Sequence, residues 1–300
     1  MQQSDAAVRL ATFDQHRKLL FSIAYRMLGS VADAEDMLQE TFIRWQQAKE
    51  EDVRSPRAFL VTVISRLCIT HLRSARVRRE EYVGQWLPEP LVTESGNDPL
   101  RIVHVDESLS MAFLVLLERL TPVERAVFLL REVFEYEYAE ISSILRQNEA
   151  NCRQILTRAR QHVRRLRPRF TASTQKRNDL LDQFLRAATS GDMDALLTLL
   201  SKDAVLHSDG GGKAIAVPNV IEGAEKVARG VVGALRKLVP KEVVRRQMEI
   251  NGGPGLVSYL DGKPFSAVSL DANNGQIRAI YIITNPQKLQ HLPRLTEEPE

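Results

Sequence analysis

The 300-residue sequence has only two cysteines, Cys68 and Cys152. That is too few for a disulfide framework or a cysteine-ligated zinc site, and it points to a reducing, cytoplasmic setting. Its six histidines lack metal-ligand spacing, so neither a metal nor a cofactor is expected. No apolar run reaches the roughly 18 residues that suggest a membrane span. Met1–Leu10 carries Asp5 and Arg9 and lacks the apolar stretch of a secretory signal. Internal repeats and low-complexity tracts are absent. So is any large charge imbalance: the net charge is +3, with 25 Lys+Arg against 23 Asp+Glu in residues 1–170 and 16 against 15 beyond. What remains, 44% apolar and 26% charged, is the composition of a globular chain long enough for two or three domains.

The charges are unevenly placed. Arg54–Arg79 contains seven arginines and no acid, and so does Arg153–Arg169. Arginine meets phosphate with a planar fork of donors, so two such blocks suit nucleic acid, although either could be a solvated helix face. Acids gather at Asp33, Glu35, Asp36 and Glu40, and again at Glu132, Glu135, Glu137 and Glu140.

Helical periodicity dominates the first half. Phe13, Leu20, Ala24 and Met27 form one stripe; Ala34, Leu38, Phe42 and Trp45 form the next; Leu60, Ile64, Leu67 and His71 form a third, after a Ser55-Pro56 start signal. Gly84, Pro88, Pro90, Gly96 and Pro99 then break regular structure. Within that linker, Trp86–Leu91 (WLPEPL) is too apolar to be left in water and is expected to dock on a partner surface. Helices resume with Leu109, Phe113, Leu116 and Leu120, and Thr121-Pro122-Val123-Glu124 has the residues of a reciprocal capping box.

Residues 138–167 have helix-turn-helix form. Cys152, Ile155, Ala159, Val163 and Leu166 make a buried stripe, while Arg153, Arg160, Arg164 and Arg167 occupy another face. Asn148 can cap the second helix. Asn151, Arg153 and Gln154 lie near its start, where such helices reach base edges, and Arg158 and Arg160 suit phosphate.

The last third reads as an α+β unit. Helices are expected at about 176–189, 192–200 and 222–238. Strands are expected over Ala204–Ser208, Lys213–Val217, Val243–Ile250, Gly255–Leu260, Phe265–Leu270 and Gln276–Thr284, with hairpin turns at Asp261-Gly262 and Asn274-Gly275.

Asp33–Trp45 (DAEDMLQETFIRW) and Ser55–Leu60 (SPRAFL) resemble region 2 of bacterial sigma factors, and residues 121–165 resemble region 4. Two such regions joined by a short linker are the layout of the extracytoplasmic-function group. The resemblance implies an RNA polymerase sigma factor directing promoter recognition and transcription initiation. Asp33, Asp36, Gln39, Glu40, Phe42 and Trp45 would meet the β′ clamp helices of core polymerase, with the β flap as a further partner. Arg57, Arg66, Thr70, Arg73 and Arg76 would capture and melt the minus-ten element, whose unstacked bases and backbone need a cationic surface. Asn151, Arg153, Gln154, Arg158, Arg160 and Arg164 would read the minus-thirty-five element. Arg66 stands at the family's bend between two helices, where many relatives have a small polar residue; the departure leaves the base preference open.

The C-terminal part resembles the SnoaL-like members of the cone-shaped NTF2-type fold, which a subgroup of these factors carries as a built-in regulator. The matching segments are Trp86–Leu91, Asp209–Lys213 (DGGGK) and Asn285–Leu289 (NPQKL). They imply regulatory contacts of the extension with the linker and regions 2 and 4, through Trp86, Leu87, Pro88, Asp209, Lys213, Asn285, Pro286 and Lys288. The expected fold is therefore multidomain: all-α region 2 over 8–82, a linker over 83–105, all-α region 4 over 106–169, and an α+β SnoaL-like domain over 175–290. Two other readings stay open: a DNA-binding regulator independent of polymerase, and an NTF2-fold enzyme using His207 and Asp209 as acid and base. The Gly-Gly-Gly-Lys run is a poor phosphate loop, because His207 stands where its first glycine belongs and Ala214 follows the lysine. A small-molecule ligand of the domain is left open.

Overall fold

The computed structural model describes residues 2–49, 51, 53–80, 82–93, 107–164 and 174–295. It divides into two compact units: Met1–Glu80, Ser95–Ser108 and Leu114–Arg167 form the first, and Glu81–Glu94, Leu109–Phe113 and Pro168–Glu300 form the second.

The first unit is helical. Its elements are α1 (Gln2–Leu28), α2 (Val31–Gln47), α3 (Pro56–Glu80), the end of α4 (Met111–Leu117), α5 (Pro122–Glu132), α6 (Tyr138–Leu145) and α7 (Glu149–Arg164). Gly29, at φ 67°, lets the chain leave α1, and Ser30 caps α2 by accepting from the Asp33 N–H. Val31, Ala34, Leu38, Thr41 and Trp45 recur every three or four residues and are buried together. Thr121 and Glu124 form the expected capping box at α5. α6 ends on Arg146 in the left-handed region, and Asn148 Oδ1 accepts from the Asn151 N–H at 2.7 Å to start α7. Among the described residues of this unit, two arginines are buried. Arg26 donates to Ser108 Oγ at 2.8 Å and to Ser22 Oγ. Arg125 joins α5 to the end of α1 by donating to the Met27 carbonyl (2.6 Å), and pairs with Glu118 at 2.8 Å; burial pushes its pKa down to about 9.

The second unit holds α8 (Thr174–Ser190), α9 (Met193–Leu199), β1 (Leu200–Asp209), β2 (Ile221–Glu222), α10 (Ala224–Leu238), β3 (Val244–Ile250), β4 (Gly253–Leu260), β5 (Lys263–Asn273) and β6 (Gln276–Ile283). The six strands run in the order β2-β1-β6-β5-β4-β3. β1 and β6 are parallel, and every other neighbouring pair is antiparallel. A core that includes Phe184, Leu196, Leu206, Val227, Val231 and Ile280 joins the three helices to the sheet. The expected turns at Asp261-Gly262 and Asn274-Gly275 are present with both residues at positive φ, and Asn251-Gly252 makes a third of the same kind.

One expected strand is absent. Lys213–Val217 is turn and irregular chain, and β2 supplies the edge pairing instead. Gly211 and Gly212 at φ 58° and 68° fold the chain back, so the Lys213 and Ala214 N–H groups both donate to Gly210 O. A side chain at Gly210 would collide with the Ala214 carbonyl. The alternating Ile215 and Val217 suggested a strand, but both line a cavity.

Candidate nucleic-acid interface and linker clamp

Helix α7 presents the expected surface. Cys152, Ile155, Ala159 and Val163 are buried, together with Leu156, while Arg153, Gln154, Arg158 and Arg160 are exposed. The exposed guanidiniums are lightly tethered. Arg153 pairs with Glu149 at 3.0 Å and lies over the Tyr138 ring, and Arg160 pairs with Glu132 at 2.6 Å. Asn151 is partly turned inward, its amide donating to Gln147 Oε1. The side chains of Arg164 and Arg76 lie outside the described residues.

Helix α3 differs from expectation at its centre. It is one continuous helix through Arg66, over residues 57–80 that contain neither glycine nor proline, and the Arg66 carbonyl also accepts from Thr70 Oγ1 at 3.0 Å. The Arg66 side chain reaches α6 within the same unit. Its Nε donates to Ile144 O at 2.7 Å and its Nη2 to Ser143 O at 3.0 Å. These carbonyls are in the last turn of α6, where a helix leaves acceptors unpaired and favours cations. Burial and the nearby Arg146 charge hold the Arg66 pKa below its usual value. Arg57 is exposed and stacks over the Tyr136 ring; Thr70 and Arg73 are exposed.

On α2, Asp36 and Gln39 are exposed, and Asp33 and Glu40 half-exposed. Asp33 lies 3.4 Å from His71 and Glu40 pairs with Arg44 at 2.8 Å. Phe42 packs its ring 4.9 Å from that of Phe13. A groove of about 300 Å3 between α1 and α2 is bordered by Phe13, Arg17, Glu35, Gln39 and Phe42. Trp45 does not present a surface. It is 5% exposed, its indole N–H donates to Arg9 O at 2.9 Å, and its ring meets that of Phe59. Trp45 therefore positions α2 from the core.

In the second unit the linker segment is bound to the sheet domain. Asp209, wholly buried, accepts from Tyr82 Oη (2.6 Å), the Leu87 N–H (2.8 Å) and Lys288 Nζ (2.7 Å). Lys288 also donates to the Leu87 carbonyl, and its ammonium lies 4.1 Å from the Trp86 ring centroid. Asn285 Nδ2 donates to Tyr82 Oη at 2.8 Å. Burial and the Asp209 carboxylate push the Tyr82 phenol well above its ordinary pKa, so it stays a donor. Farther along, Asn251 accepts from the Leu91 N–H through its side chain and donates to the Leu91 carbonyl through its backbone; the Thr93 hydroxyl meets Glu249 at 2.6 Å. Residues 87–93, Pro88 included, are buried.

The remaining expected contacts fall differently. Lys213 is exposed and closes its turn through its backbone N–H. Pro286 borders the cavity. His207 and Asp209 do share one face of β1, but it is the linker face. His207 stacks on Tyr281 and meets Gln85 at 2.9 Å, whereas Leu206 and Ser208 face the cavity of about 440 Å3. The period of two that pairs His207 with Asp209 also turns both away from that cavity, so they cannot serve there as acid and base.

Residues 12–78 match the family model of sigma-70 region 2, and residues 110–163 match that of sigma-70 region 4. Over 297 residues the chain is 34% identical to the ECF RNA polymerase sigma factor SigJ of Mycobacterium tuberculosis, covering 95% of each. The chain belongs to the extracytoplasmic-function sigma factors. This sigma factor is also 30% identical to the probable ECF sigma factor SigI of the same organism, across 94% of this chain and 95% of the relative. The crystal structure of Mycobacterium tuberculosis SigJ superposes on it with a TM-score of 0.77 at 33% identity, covering 93% of this chain and 97% of that one. Regions 2 and 4 make it a promoter-directing transcription initiation factor. Among the described residues of this sigma factor, no helix is long and apolar enough to cross a membrane. Sequence reasoning missed Tyr82, Gln85, Thr93, Glu249 and Asn251 of its clamp. Only Asn251 carried a signal, the Asn-Gly turn dipeptide.

Proposed function

We propose that the helical unit is the off-DNA form of this sigma factor, and that core polymerase separates region 2 from region 4. The observation that carries this is the pair of hydrogen bonds from Arg66 on α3 to the last carbonyls of α6. Elements at minus ten and minus thirty-five lie about 25 base pairs apart, roughly 85 Å of B-form duplex at 3.4 Å per pair. Two helices joined by side-chain hydrogen bonds cannot engage both elements at once. In the open form the α2 face and its groove dock on the β′ clamp helices, and region 4 lies on the β flap. Arg57, Arg66, Thr70, Arg73 and Arg76 then hold the melted element, and α7 reads the upstream one through Asn151, Arg153 and Gln154, with Arg158, Arg160 and Arg164 on phosphates. The second unit regulates in cis by fixing the linker at Asp209, Lys288, Asn285 and Asn251. The protein works in the cytoplasm, without cofactor or chemistry of its own.

Fluorophores at Thr70→Cys and Gln161→Cys, both exposed positions, report the distance between α3 and α7. Energy transfer is expected to fall when core polymerase is added and to stay low on promoter DNA. Unchanged transfer in a complex that initiates transcription would sink the proposal.

A further inference from the structure

The cavity in the second unit has about 440 Å3, within the range of small-molecule sites. Its wall is almost entirely hydrocarbon, with Phe184, Leu235, Leu256 and Phe265 contributing bulky groups. Hydroxyls come from Thr189, Ser208, Ser258, Ser266 and Thr284. Among the described residues, the single ionisable group along it is Arg245, which is exposed on β3. A bound charge would lose hydration there without a buried counter-ion, a cost a neutral molecule avoids. No side chain along the wall has the chemistry of a nucleophile activated by a neighbouring base, or of a general acid or base near neutral pH.

Two short segments form both this cavity and the linker clamp. In the first, Ser208 faces the cavity and Asp209 holds Tyr82 and Leu87; the turn that follows returns Ala214–Val217 to the cavity wall. In the second, Thr284, Pro286 and Leu289 border the cavity, while Asn285 and Lys288 hold the linker. The two segments are tied together, since the Thr284 and Asn285 N–H groups both donate to Asp209 O, and Thr284 Oγ1 lies 3.3 Å from Ile215 O. Gly212 abuts Val83 of the linker so closely that a side chain there would stand 3.0 Å from it. Outward displacement of either segment by a filled cavity therefore changes the seat of the linker.

We infer that the cavity is a receptor site for an uncharged, mainly hydrocarbon small molecule, which is bound without turnover and whose occupancy shifts the Asp209–Lys288 grip on the linker. The coupling rests on the cis-regulatory reading above; the binding does not. The test uses the full chain without polymerase or DNA, so a failure to bind leaves the energy-transfer result on regions 2 and 4 standing.

Neutral N-phenyl-1-naphthylamine is titrated and followed by its own fluorescence, then displaced by dodecanol or by dodecanoate. Saturable binding is expected, with dodecanol displacing the probe at concentrations at least tenfold lower than dodecanoate. Ala234→Trp and Ala216→Trp each fill the cavity from a different wall and are expected to weaken probe binding at least tenfold with unchanged circular dichroism. In a Trp45→Phe background, dodecanol is expected to shift the emission of Trp86. Absence of saturable binding, equal or better displacement by dodecanoate, or full binding by both folded cavity-filled variants would overturn the site. Binding that leaves Trp86 emission unchanged would overturn the coupling.

Discussion

The α7 surface of the helical unit and the linker clamp of the sheet unit handle charge in opposite ways. In the helical unit, two of the arginines proposed to meet DNA, Arg153 and Arg160 on α7, are exposed and each paired with one carboxylate, Glu149 and Glu132. Such surface pairs are worth about 0–1 kcal/mol and exchange readily for phosphate. In the sheet unit, Asp209 and Lys288 are buried and every contact described for them stays within the unit. A buried pair adds little net stability, but losing one member strands the other in a dry site. Loosely satisfied charge is free to exchange partners, and fully satisfied charge fixes geometry.

That contrast breaks most sharply at the clamp. Lys288→Met is expected to lower the stability of the sheet unit by about 3–5 kcal/mol in urea unfolding, because Asp209 stays buried without its counter-ion. A loss under about 1 kcal/mol would place Asp209 in contact with water and remove the contrast. The double variant Lys288→Met/Asp209→Asn should recover part of the loss, since no charge is then left stranded and the amide oxygen keeps an acceptor for Tyr82 Oη or the Leu87 N–H.

Asp271 sharpens the comparison from the other side. It is 7% exposed, its Oδ1 is without a hydrogen-bond partner, and burial raises its pKa to about 6, against a smaller opposing pull from Arg278. The folded state therefore binds the proton more tightly than the unfolded chain, whose aspartate titrates near about 4. The extra stability is complete below about pH 4 and is lost as the pH rises through about 6, an effect of roughly 2–3 kcal/mol. Asp271→Asn should remove this dependence and be the more stable protein at pH 7. Urea midpoints measured across that window decide it.

Smaller effects are expected in the helical unit. Asn148→Ala removes the side-chain cap of α7 and should cost about 1 kcal/mol by thermal unfolding. Arg160→Ala should change stability by no more than about 0.5 kcal/mol. It should nevertheless lower the slope of log affinity against log salt for promoter binding by the polymerase complex by about 1. An unchanged slope would remove Arg160 from the phosphate contacts.

Much of the helical unit was legible because its signals are local. The Thr121–Glu124 capping box, the Asn148 cap and the stripe from Cys152 to Val163 each lie within a few turns of chain. The hairpin dipeptides at 261–262 and 274–275 were legible for the same reason. The clamp was legible only as three segments that resemble a family; their meeting spans more than a hundred residues, and no local pattern encodes it. Lys213–Val217 misled because an alternating apolar pattern fits a cavity wall as well as a strand, and the three preceding glycines decided for the turn. Period-two spacing placed His207 and Asp209 on one face without saying which. The departure at Arg66 is visible in the sequence, but its acceptors on α6 belong to another part of the chain.

The parallel pairing of β1 with β6 has a consequence for biosynthesis. Asp209 and Lys288 come together only after β6 has been laid beside β1, which requires the chain through Lys288 to have left the ribosome. Domains emerge in order during synthesis, and long-range strand pairing is slow compared with helix formation. The helices of regions 2 and 4 are thus made before the residues that hold the linker, and each new chain passes through an interval in which those helices can fold while Asp209 still lacks Lys288.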